Sequence, residues 1–306
     1  MNLQKTIKEN IELEGIGLHN GVKVNLCLKP AEVNQGIKFK RTDIDSDKNI
    51  IEASYKNVSS PILCTKIKNS YGVSVSTIEH LMAAFYGEGI DNILVEIDAP
   101  EIPIMDGSSF DFVNAIRSAG TQEQKESKKY LRVLKKVEVK DGEKYISIEP
   151  LSQDLIIDFQ IVYKNPLIRT RRKEFKLSNG DLNSIYNSKT FCLYEDIDQI
   201  KSQGLAQGGS LENAIVVKEN RVLNEDGLRY RDEFVNHKIL DCMGDLMLAG
   251  HRIFGHIKTS QGGHQLTNDL LVKFLSNKSN WEFQSSDSKK TDTKESPYAR
   301  PVAASA

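Results

Sequence analysis

His237-Lys238-Ile239-Leu240-Asp241 and, far upstream, Glu79-His80 are the residues of this chain whose types and spacing suit metal chemistry. A histidine and an aspartate four residues apart on a helix project from one face, about one turn apart. A metal could take both from one rigid element, with His80 as a third ligand. Three protein ligands leave a fourth position open for water, the pattern of a catalytic zinc site. Glu79, next to His80, is then placed to act as the base. A zinc hydrolase is the leading expectation.

Each of these residues also has a plainer reading. The H-x-x-x-D spacing is equally that of a helix-surface pair, worth about 0.3 kcal/mol. Ser76-Thr77-Ile78-Glu79 has the form of a capping box, and a glutamate folded back onto its helix start is not free to accept a proton. Asp245 favours the metal reading, because His237, Asp241 and Asp245 form one polar stripe while Ile239, Leu240, Met243, Leu246 and Met247 lie on the other side. A helix patterned this way packs on its apolar side. The stripe then faces solvent or a polar cleft, and Lys238, about 100° round, reaches the same cleft.

The 306 residues allow one large domain or two ordinary ones. A net charge of −1 provides no basic field for nucleic acid. The start, Met1-Asn2-Leu3-Gln4-Lys5-Thr6, lacks the apolar core of a signal peptide. No apolar run approaches the ~20 residues of a bilayer span. A cytoplasmic monomer without an integral membrane segment is expected. Cys27, Cys64, Cys192 and Cys242 form no CxxC pair and read as reduced thiols, so any metal should use histidine and carboxylate.

The elements that must position these groups follow from periodicity. Val22–Leu28 alternates as a strand after the Asn20-Gly21 turn, and Pro30 ends it. A helix opens at Ser76-Thr77-Ile78-Glu79 and runs through Phe85, with Gly87 and Gly89 as its stop. Ile93–Ile97 is a strand, and a second helix runs from about Ser109 to Ser118. The segment 121–129 has no apolar residue and reads as a linker. Beyond it, strands are expected at Leu131–Val139, Tyr145–Ile148, Leu155–Val162 and Arg252–Ile257. Helices are expected near Leu182–Asn187, Arg231–Ala249 and Asn268–Leu275. An insert at about 196–225 carries a helical stretch, Asp196–Gln203, and short strands at Ala214–Val217 and Arg221–Leu223. Strands followed by helices in both halves predict two similarly built α+β domains, 1–120 and 130–281. Residues 282–306 read as a disordered tail.

Several longer strings carry a resemblance. They include Gly15-Ile16-Gly17-Leu18-His19, Ser76-Thr77-Ile78-Glu79-His80-Leu81 and Ala99-Pro100-Glu101-Ile102-Pro103-Ile104-Met105-Asp106-Gly107-Ser108. Later come Lys189-Thr190-Phe191, Gly208-Gly209-Ser210, Val222–Arg229, Asp232-Glu233-Phe234-Val235-Asn236-His237-Lys238 and Gly263-His264. Collinear to about Trp281, the chain resembles the UDP-3-O-acyl-N-acetylglucosamine deacetylase family, the zinc enzymes of lipid A synthesis. The resemblance implies zinc held by His80, His237 and Asp241. It implies Glu79 as general base on the zinc-held water, His264 as acid or electrostatic partner oriented by Asp245, and Thr190 as oxyanion stabiliser. It places Lys238 at the polar head of the substrate and Phe191 among the substrate-binding residues. Lys144 is placed at the nucleotide and Tyr163 against uracil. Ile197, Gly209, Ser210, Ala214 and Val216 fall in a passage for the acyl chain, a segment that could equally be ordinary packing of a small subdomain. It further implies a fold of two α+β domains, each a sheet with two main helices, with the helices between the sheets.

Two positions depart from the family pattern. Lys189 stands where arginine is usual, which keeps the charge and loses the bidentate fork. Gln261 replaces a lysine that some members carry near the nucleotide. Two competing functions remain open: a zinc amidase acting on another N-acyl sugar or peptide, and a nucleotide-sugar binding protein with structural zinc.

Overall fold

A computed structural model describes residues 2–59 and 63–285. The first part of the chain runs β1 (Leu3–Ile7), β2 (Ile11–Ile16), β3 (Lys23–Pro30), β4 (Ile37–Arg41), β5 (Ile50–Glu52), β6 (Ile67–Lys68), β7 (Ser74–Val75), α1 (Glu79–Glu88), β8 (Ile93–Ile97), α2 (Phe110–Ala119) and β9 (Thr121–Ser127). β2-β3-β8-β4-β5 form a five-stranded sheet. Its strands show the expected alternation, with Val24, Leu26 and Leu28 of β3 turned into the core.

The remainder runs β10 (Lys129–Val133), β11 (Val137–Asp141), β12 (Lys144–Pro150), β13 (Leu155–Ile161), β14 (Arg171–Lys176), α3 (Leu182–Tyr186), β15 (Phe191–Leu193), α4 (Ile197–Ser202), β16 (Ile215–Lys218), β17 (Arg221–Val222), α5 (Glu233–Leu246), β18 (Arg252–Ser260), α6 (His264–Ser276) and β19 (Trp281–Ser285). Seven of these strands form one sheet built on β18, which pairs with β10, β12 and β13. β15, β16 and β17 form a separate three-stranded sheet in the insert. The fold is mixed α+β. α5 packs on β13 and β14, α6 on β11 and β12, and α1 lies against α5. One continuous apolar core includes residues of both large sheets and of these helices.

Several expectations are corrected. The segment read as a linker is mostly strand: β9 pairs antiparallel with β1. Side-chain amides pin it in place of apolar burial. Gln124 accepts from Asn92 Nδ2 at 2.7 Å and donates to the Ala31 carbonyl at 2.8 Å. The strand expected over Leu131–Val139 is two strands, β10 and β11. Residues 282–285, expected to belong to a tail, are strand instead, because β19 pairs antiparallel with β10 through Ser285. Residues 286–306 lie outside the described residues.

The capping box does not form. Thr77 takes φ 57°, which turns Ser76 away, and the Ser76 hydroxyl donates to the Pro100 carbonyl at 3.2 Å. α1 therefore starts at Glu79 without a side-chain cap. Its far end is better secured. The Arg252 guanidinium donates to the carbonyls of Phe85 and Tyr86 and pairs with Asp91 at 2.6 Å. This satisfies carbonyls that a helix end leaves free. Glu79 and His80 thus enter on a helix buried from Glu79 through Tyr86.

Candidate active site

α5 brings His237, Asp241 and Asp245 to one face, as their four-residue spacing predicts. That face is not toward solvent: all three side chains are buried and meet the start of α1. Asp241 Oδ1 lies 3.4 Å from His237 Nε2 and 3.5 Å from His80 Nε2. One donor atom from each of His80, His237 and Asp241 falls within 4.8 Å of the others. Their partners prepare them as ligands. His237 Nδ1 lies 3.0 Å from the Ser188 carbonyl, which can only accept. The ring proton therefore sits on Nδ1 and leaves the Nε2 lone pair free. Burial holds this imidazole neutral, its pKa lowered to about 3. Burial acts to raise the Asp241 carboxyl, but the Lys238 ammonium and a hydrogen bond from His80 outweigh it and hold the group well below its usual range. Asp241 Oδ2 accepts from Lys238 Nζ at 2.9 Å. Two imidazole nitrogens and one carboxylate, buried and converging, are a donor set that fits zinc.

A second constellation lies beside the first. Glu79 Oε1 is 3.8 Å from His264 Nε2, and His264 Nδ1 is 2.8 Å from Asp245 Oδ2. Burial raises the Glu79 carboxyl, against the pull of His264 and His80. Burial also opposes charge on His264, but Asp245 and Glu79 reverse this and raise it to about 10. With a carboxyl group on each side, the ring is held as an imidazolium. β18 extends to Ser260, three residues beyond the strand expected from sequence, and α6 starts at His264, four residues earlier than expected. The short turn Gln261-Gly262-Gly263 between them delivers His264 to Asp245.

The remaining candidates line two adjoining cavities. One, about 370 Å³ and mainly apolar, is lined by Thr190, Phe191, Ile197, Gly209, Ser210, Ala214 and Val216. The other, about 460 Å³ and more polar, is lined by Lys144, Tyr163, Lys238, Gln261 and His264. Thr190 and Phe191 border both. Thr190 is fixed through its backbone, its N–H donating to the Gly107 carbonyl at 2.8 Å and its carbonyl accepting from Ile215 at 2.8 Å. Lys189 turns away, its ammonium bound to the Glu212 carbonyl at 2.7 Å. A second group of metal-type donors, Asp158, Glu174 and His256, spans β13, β14 and β18. Asp158 is already held there by two hydrogen bonds from Arg172, so this is a cross-strand ion-pair cluster.

The family model described as LpxC, UDP-3-O-acyl N-acetylglycosamine deacetylase, matches residues 4–276. The chain belongs to this family. Curated relatives named UDP-3-O-acyl-N-acetylglucosamine deacetylase agree along nearly their whole length. The protein of Shewanella frigidimarina is 44% identical over 290 residues, 94% of each chain. That of Haemophilus ducreyi is 42% identical over 297 residues, 96% of this chain and 95% of its own. That of Pasteurella multocida is 44% identical over 289 residues, again 94% of each.

Within this deacetylase fold, three contributors escaped the reading of the sequence. Thr65 touches Glu79, Asp245 and His264. Glu233, fully buried at the start of α5, accepts from the backbone N–H groups of Lys189 and Arg229 at 3.0 and 2.6 Å, and so anchors the segment carrying Thr190. Ser188 acts through its carbonyl alone. Glu233 lies within the quoted Asp232–Lys238 string, which was its one available signal; Thr65 and Ser188 had none.

Proposed function

We propose that this chain hydrolyses the N-acetyl group of UDP-3-O-(3-hydroxyacyl)-N-acetylglucosamine, releasing acetate and the free amine for lipid A synthesis. The observation that carries the reading is the adjacency of two constellations: the buried His80/His237/Asp241 donors and the Glu79–His264–Asp245 chain. Membership of the family supports the substrate. The two cavities offer separate environments for an acyl chain and a polar head.

His80, His237 and Asp241 would hold zinc, which supplies Lewis-acid polarisation of the amide and makes water acidic at neutral pH. Glu79 accepts the proton of the attacking water, a role suited to a carboxyl whose pKa is raised toward the working pH. Thr190 donates to the oxyanion that forms on the acetyl carbonyl, an interaction worth about 3 kcal/mol at comparable sites. His264, held as an imidazolium by Asp245 and Glu79, stabilises that negative charge and protonates the departing amine. Lys238 stays cationic because Asp241 outweighs burial, and from the polar cavity it contacts the sugar head. Tyr163 and Lys144 take the nucleotide. Phe191 borders the acyl chain, and Ile197, Gly209, Ser210, Ala214 and Val216 enclose it. Each buried methylene adds about 0.8 kcal/mol of binding. The same reading divides the chain into two α+β domains, 1–120 and 130–281, which α1 and α5 join.

A substrate panel tests this assignment. Removing the UDP or the 3-O-acyl chain should lower kcat/KM by orders of magnitude. Equal hydrolysis of simple N-acetyl sugars would instead identify a general zinc amidase.

A further inference from the structure

Thr65 is 1% exposed, just before β6, and it reaches the site from outside every motif considered above. Its backbone N–H donates to Glu79 Oε2 at 3.0 Å. Its hydroxyl oxygen lies 2.5 Å from Asp245 Oδ1 and 3.1 Å from His264 Nδ1. Counting protons settles the directions. An ionised carboxylate only accepts, and a hydroxyl has a single proton. The Thr65 hydroxyl therefore donates to Asp245 Oδ1. The other oxygen, Oδ2, accepts from His264 Nδ1–H at 2.8 Å. Both oxygens of Asp245 are thus occupied, one by Thr65 and one by His264. A threonine with a purely structural role commonly bonds nearby backbone. This hydroxyl instead bonds a residue 180 positions away in the chain, inside the reacting centre.

We propose that Thr65 is a positioning residue for the deacetylation. Through Asp245 it fixes the His264 proton on Nδ1 and directs Nε2 toward Glu79 Oε1, 3.8 Å away. Through its N–H it occupies Glu79 Oε2 and leaves Oε1 to exchange protons. One residue thereby sets the mutual placement of the base and the acid, which otherwise arrive on separate helices, α1 and α6. The inference rests on the function proposed above.

The test compares Thr65→Val, which keeps the shape and deletes the hydroxyl, with Thr65→Ser, which keeps the hydroxyl. Both are assayed as zinc-loaded full-length protein. Thr65→Val should lose about 10–100-fold in kcat with KM within about threefold, since misplacement of a proton-transfer group acts on the chemical step. Thr65→Ser should recover most of that loss. A readout independent of turnover is the His264 Nδ1 proton in NMR. It should be strongly deshielded and slow to exchange in the wild type and Thr65→Ser, and shifted upfield or lost in Thr65→Val. If Thr65→Val does not fold, Thr65→Ala deletes the same hydroxyl without a methyl against the carboxylate, and the wild-type resonance must still appear. An unchanged kcat, equal impairment of the Val and Ser variants, a loss confined to KM, or an unmoved resonance would overturn the proposal. If the wild type releases no acetate, the function is at fault. The resonance still decides the role of Thr65.

Discussion

Gly244 on α5 lies directly against the backbone of Glu79 on α1: a Cβ at Gly244 would stand 2.0 Å from the Glu79 carbonyl oxygen and 3.1 Å from the Ala83 nitrogen. The missing side chain is what allows the two helices to approach closely enough for His80 to meet His237 and Asp241. Gly244→Ala must force them apart. The expected cost is about 3 kcal/mol or more, on the order of 6–10 °C in Tm. Zinc affinity should fall as well, because two donors sit on one helix and one on the other. Thermal unfolding and zinc titration of the variant check this, and wild-type values in both would refute the packing argument.

Glu79→Gln and His264→Gln should keep zinc and the fold while losing at least about 100-fold in kcat, the range general acid–base groups contribute. Metal content, circular dichroism and steady-state kinetics measured together separate loss of chemistry from loss of structure. Near-wild-type turnover in either variant removes that residue from the mechanism.

His264 should remain protonated well above neutrality in the metal-free protein. Its pKa is raised from 6.5 to about 10. The folded state therefore binds this proton more tightly than the unfolded state does. The stabilisation it contributes is fully present below pH 6.5 and is lost as pH rises through about 10. Asp245→Asn should lower the pKa and flatten that loss. NMR titration of the ring, alongside denaturant unfolding at several pH values, provides the check. An imidazole titrating near 6.5 contradicts the assigned charge.

Ala214 borders the apolar cavity and is itself 9% exposed. Ala214→Leu should shorten the acyl chain the enzyme prefers, raising KM for long-chain substrates and sparing short ones. Each excluded methylene is expected to cost about 0.8 kcal/mol, roughly fourfold in KM. Equal KM changes at every chain length would show that the chain does not enter here.

The shared face of His237, Asp241 and Asp245 was legible because its signal is local. His237, Asp241 and Asp245 recur every four residues, and a helix turns that interval into a common face. Glu79 was ambiguous between capping and catalysis until the positive φ of Thr77 removed the cap. β9 was illegible, because its pairing uses backbone groups and amide side chains that leave no apolar alternation. Thr65 was hidden for a related reason. Its hydroxyl contacts join positions 180 and 199 residues apart, a separation that no window along the chain spans. The turn that delivers His264 lies between a strand and a helix whose adjoining ends were both placed too far from it.

The central claim is tested most directly by acetate release from UDP-3-O-(3-hydroxyacyl)-N-acetylglucosamine, measured before chelation, after chelation and with zinc restored. The chelator should abolish turnover and one equivalent of zinc restore it, with no restoration in His237→Ala. Folded, zinc-loaded protein that releases no acetate, or turnover indifferent to the chelator, would contradict it.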